Sequence, residues 1–95
     1  MISIGQLILY LQLPGCASLK QKRSLIKPIL ARLPREFNVS IAEIDRQDIW
    51  REAVLACVTV SSDPDQTMRL LQQVVHFTES NWPDLPLFDH SIELI

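Results

Sequence analysis

From Ile2 to Leu13 the chain alternates, with Leu7, Leu9, Leu11 and Leu13 on one side and Gln6, Ile8, Tyr10 and Gln12 on the other. A period of two predicts a strand, and the leucine column predicts its buried face. Pro14-Gly15 ends that strand, since neither residue continues a ladder well. The spacing then becomes helical. Ile26, Ile29, Leu30, Leu33 and Phe37 form an apolar stripe, with Leu25 beside it, which predicts a helix from about Leu19 to Leu33 that Pro34 ends, with one further turn as the alternative. Ser18, with Gln21 three residues later, is a capping-box signature for its start. Pro28 interrupts the backbone bonding but not the apolar phase, so the spacing predicts one helix kinked there.

Asn38 to Asp45 alternates again, Val39 and Ile41 against Ser40, Ala42 and Ile44. Asp45-Arg46-Gln47-Asp48 reads as a short hairpin loop. Trp50 to Ser61 is apolar on both sides, as expected of a strand in the middle of a sheet. Asp63-Pro64-Asp65-Gln66 combines an Asp cap, a proline at the first helical position and Gln three after the cap. The second helix runs to about Ser80, burying Thr67, Leu70, Leu71, Val74, Phe77 and Thr78. Asn81-Trp82-Pro83-Asp84 breaks it, and Leu87 to Ile95 is a last strand.

The order strand, helix, strand, strand, helix, strand predicts an α+β, ferredoxin-like βαββαβ fold as a single domain over residues 1–95. Its four-stranded antiparallel sheet would carry both helices on one face. The other face would then expose Ile8, Tyr10, Ala42, Ile44, Leu55, Cys57 and Leu87. A patch of that extent is unusual for a monomer. A homo-oligomer interface through Ile8, Tyr10, Ile44, Leu55 and Cys57 suits these aliphatic residues better than a base-stacking platform, because the first strand offers one ring, Tyr10, and the third has none within its middle.

Composition adds one decisive feature. The formal net charge of −2 conceals a division. Up to residue 35 the chain holds Lys20, Lys22, Arg23, Lys27, Arg32 and Arg35 and no acid, whereas all 11 acids follow. One basic face for an anionic partner is the expectation. Lys20, Lys22 and Arg23 stand at the start of a helix, where the dipole favours acids. With Lys27 and Arg32 they form a candidate nucleic-acid-binding anion site, read as charge along an RNA backbone. The competing reading is a solvated helix face.

The N-terminal stretch has no basic leader, and Gln6 and Gln12 interrupt its apolar run. The expectation is a cytoplasmic protein with no membrane partner. Two cysteines without a CxxC pair make a disulfide an unneeded assumption in a reducing compartment. Catalysis has little support. Cys16 lies among cations before a helix, yet no base is placed beside it, and a small residue filling a tight turn explains it. Glu43, Asp45 and Asp48 gather at the hairpin without a spacing that fixes a metal shell. No cofactor is implied. His90 is expected as a buried, hydrogen-bonded histidine and His76 on a wet helix face. Trp50 and Trp82 are expected as packing anchors.

Pro14-Gly15-Cys16-x-Ser18-Leu19-Lys20-x-Lys22-Arg23, Arg32-Leu33, Phe37-Asn38-Val39-Ser40-Ile41-Ala42-Glu43-Ile44-Asp45 and Asp48-x-Trp50 through Val60-Ser61 resemble the YlxP-like family of small bacterial proteins. The likeness covers nearly the whole chain. It implies a ferredoxin-like fold. Members are often encoded near transcription-elongation, initiation-factor and ribosome-maturation genes, which implies a link to RNA or the ribosome and brings no activity or cofactor with it. On the first strand, Ile8 and Tyr10 stand where that resemblance leads one to expect charged residues.

Overall fold

The computed structural model describes all 95 residues. Its elements are β1 (Ser3–Gln12), α1 (Leu19–Glu36), β2 (Ser40–Asp45), β3 (Glu52–Ser61), α2 (Pro64–Asn81) and β4 (Leu87–Leu94). The strands form one antiparallel sheet in the order β2-β3-β1-β4. This is the α+β, ferredoxin-like βαββαβ topology.

The leucine column of β1 decides which face is buried. Leu7, Leu9 and Leu11 are fully enclosed and join Leu55 and Cys57 of β3 with Ile26, Ile29 and Leu33 of α1 and Leu71, Val74 and Val75 of α2 in one core cluster. Gly5 belongs to the same face. A Cβ there would fall on the Thr67 methyl and stand 2.8 Å from Leu71 Cδ1, so its missing side chain lets α2 approach.

Both helix starts are as the sequence requires. Ser18 Oγ accepts from the Gln21 amide at 3.0 Å, and Gln21 Oε1 accepts from the Ala17 amide at 2.8 Å. Asp63 Oδ1 accepts from the Asp65 amide at 3.0 Å, with Pro64 opening the helix. Pro28 and Pro34 lie inside α1 on its exposed side, and the helix runs through both. There the lost backbone bonds cost no core packing.

The open sheet face differs from the expected one. Leu55 and Cys57 are fully buried beneath the helices and cannot form an outer interface. Register is the reason. Leu9 faces Leu55 and Leu7 faces Cys57, so these two follow the leucine column inward, while Val54, Ala56, Val58 and Val60 oppose Tyr10, Ile8, Gln6 and Ile4. Leu87 also turns inward, because a bulge sets it opposite Leu11 while Asp89 opposes Tyr10. The same bulge frees Phe88, whose exposed ring lies 6.1 Å from that of Tyr10. A second bulge leaves Ile44 exposed on the edge strand β2. His90, expected inside, is exposed on the edge strand β4. The open face thus presents Ile4, Ile8, Tyr10, Val58 and Val60, with Asp89 and Glu93 on its β4 margin.

Candidate functional site

The basic stretch separates into three groups once α1 is folded. Positions 22, 26, 29 and 33 share the buried stripe, and Lys22 is 1% exposed. Its ammonium donates to the carbonyls of Arg46 and Ile49, each at 2.7 Å, and lies 2.9 Å from Glu43 Oε2. Glu43 Oε2 is itself enclosed and makes no aligned hydrogen bond, so the Lys22 ammonium compensates it as an ion-pair partner. Two carbonyls accept from the ammonium, and the Glu43 carboxylate stands beside it as countercharge. Lys22 is therefore an internal tie between α1 and the β2–β3 hairpin, and its assignment to the anion site is corrected. Burial of an ammonium is costly without such partners, and here they are supplied.

Arg32 forms the second group. Its guanidinium lies over the Phe77 ring at 5.0 Å and the Trp82 ring at 6.0 Å. Phe37 meets Phe77 edge-on at 5.3 Å, closing the core between the helices. The half-buried Arg32 is held by cation–π contacts, with a longer 3.8 Å approach to Glu36. Trp82 is a packing anchor, as expected. Lys20, Arg23 and Lys27 remain as the third group, exposed at i, i+3 and i+7 along one side of α1. None forms an ion pair, and Arg35 continues the exposed basic surface at the far end.

The hairpin held by Lys22 is longer than the predicted loop. Ile49 donates its amide to the Arg46 carbonyl at 3.0 Å, closing a turn with Arg46 at φ 54°. The ladder begins only at Glu52, opposite Gln12. Ile49 and Trp50 consequently lie at the tip, each 48% exposed, where a packing role was expected for Trp50. The signal for this was the helical spacing of Lys22 with Ile26 and Ile29, which places a cation where only a buried partner can satisfy it.

The acids of this hairpin are already engaged in part. Glu43 serves Lys22, Asp45 Oδ1 accepts from the Arg46 amide at 2.7 Å, and Glu52 pairs with Arg46 at 2.9 Å. No three His, Cys, Asp or Glu side chains converge as a ligand group. Cys16 is buried in its turn, with Sγ 3.4 Å from the Ser18 carbonyl. Burial pushes the Cys57 thiol from its ordinary 9.0 up to about 12. A thiol held protonated in this way is a poor nucleophile.

A family profile described as "Protein of unknown function (DUF503)" matches residues 4–92. The chain belongs to this family. It is also 46% identical over 63 residues to the "Uncharacterized protein YlxP" of Bacillus subtilis (strain 168), covering 66% of this chain and 68% of that protein. The YlxP-like resemblance read from the PGC-x-SLK-x-KR stretch is thereby established. Among solved structures, the de novo designed protein Foldit4 aligns over 100% of this chain and 97% of its own, with a TM-score of 0.56 and 17% identity. At that identity the likeness is one of fold alone. No helix of this DUF503 member is long and apolar enough to cross a membrane.

Proposed function

We propose that this YlxP-like protein is an accessory factor that binds the phosphate backbone of RNA, free or within the ribosome, through the outer side of α1. One observation carries the reading. Lys20, Arg23 and Lys27 stand together on one exposed helix side with no acid paired to any of them. Unpaired cations in a row suit a repeating anion, because each phosphate neutralised releases condensed counterions. The protein's overall negative charge then acts as a guide. Asp89 and Glu93 lie on the sheet face opposite the helices, so a polyanion is repelled from there and directed to α1. The test is a gel shift with a ribosomal RNA transcript at low salt. Lys20→Glu with Arg23→Glu should weaken binding at least tenfold while leaving the melting temperature nearly unchanged. Equal binding by that variant would defeat the reading.

A second copy of the chain on the open sheet face is a compatible second role. It is favoured by Ile4, Val58, Val60 and Phe88, which are 36 to 54% exposed there. The two surfaces lie on opposite sides of the fold and do not compete.

A further inference from the structure

The hairpin tip and the basic side of α1 are joined by Lys22, and the joint itself is informative. Lys22 lies between Lys20 and Arg23 in the helix, and its ammonium holds the carbonyl that immediately precedes Trp50. One lysine side chain and one peptide unit therefore connect the exposed indole to the exposed cations. A loop bonded at both Arg46 and Ile49 and closed by its own turn is ordered before any partner arrives. An exposed tryptophan on such a support loses little freedom on binding. The neighbouring Arg51 lines, with Gln12, Pro14 and Glu52, a shallow hollow of about 240 Å³ at the same end of the sheet.

We propose that this end of the molecule binds single-stranded nucleic acid, with Trp50 stacking on an unpaired base and Lys20, Arg23 and Arg51 meeting the flanking phosphates. The assignment rests on the phosphate-binding reading above and gives it a substrate class. Stacking on one ring is tolerant of base identity, and cations flanking it meet the backbone as charge. A duplex keeps its bases stacked on one another and offers Trp50 no face. Glu52 is neutralised by Arg46.

Trp50 and Trp82 are the two tryptophans of the chain, so Trp82→Phe leaves Trp50 as the sole indole emitter. This variant is titrated with a mixed-sequence RNA dodecamer, single-stranded and then annealed to its complement. The expected result is quenching of Trp50 emission by the single strand. Trp50→Ala should bind that strand about 5- to 150-fold more weakly and bind the duplex as the parent does. Should Trp82→Phe lower the melting temperature, the difference between wild-type and Trp50→Phe titrations reads the same signal. Absence of quenching, with Trp50→Ala binding normally and Lys20→Glu/Arg23→Glu binding poorly, overturns the stacking surface and leaves phosphate binding intact. No binding to either RNA overturns both.

Discussion

Replacing Lys22 with methionine keeps the stem inside the core and deletes the ammonium. Glu43 would then face an enclosed site without its countercharge, and the Arg46 and Ile49 carbonyls would lose their shared donor. Removing one partner of a buried pair costs about 3–5 kcal/mol. Glu43 is 18% exposed and can relax toward water, which favours the lower end, about 3 kcal/mol. For a domain of this size each kcal/mol lowers the melting temperature by roughly 4–8 °C, so Lys22→Met should melt about 12–24 °C lower. Glu43→Gln should cost less, because Lys22 keeps both carbonyls. Combining Lys22→Met with Glu43→Leu removes both charges, and the double variant should recover part of the loss; the non-additivity measures the coupling. Thermal unfolding followed by circular dichroism reads all three, and amide exchange at Ile49 should quicken in Lys22→Met. If Lys22→Met melts within about 2 °C of wild type, less than a single kcal/mol is at stake and the tie is not structural.

The buried Cys57 thiol makes stability depend on alkaline pH. Its folded value, about 12, lies above the ordinary 9.0, so the unfolded chain loses a proton that the folded chain keeps. Stability is intact below pH 9 and falls above it by up to about 1.4 kcal/mol per pH unit, and Cys57→Ala should flatten that slope in denaturant titrations. On the open face, Val58→Glu should give a smaller species than wild type in sedimentation at micromolar concentration. Equal sedimentation coefficients would remove the case for a second copy on this face.

Much of the fold was legible because β1 is unambiguous: its leucine column alternates with Gln6 and Gln12, and only one face can be inside. The capping residues Ser18 and Asp63 marked both helix starts for the same local reason. β3 was not legible at this level. Val54, Ala56, Val58 and Val60 are as apolar as Ala53, Leu55 and Cys57, and the choice between faces is made by pairing with Leu7 and Leu9 across the ladder. Leu87 was misplaced because a bulge breaks the period of two without a mark in composition. At the candidate site, charge alone grouped Lys22 with Lys20 and Arg23. Helical phase separates them, since Lys22 lies four residues before Ile26 on the buried stripe. Arg32 is drawn onto Phe77 and Trp82 by a contact between residues 45 and 50 positions apart, which no local pattern announces.

In the proposed complex Lys20, Arg23 and Lys27 meet phosphates, and the salt dependence of RNA affinity counts such contacts. With Arg51 they make four contacts to a single strand, which predict a slope of about −2.8 for log K against log salt concentration. Lys20→Ala with Arg23→Ala should reduce it to about −1.4, leaving two contacts. A wild-type slope near zero, or one that the double variant leaves unchanged, would contradict the account.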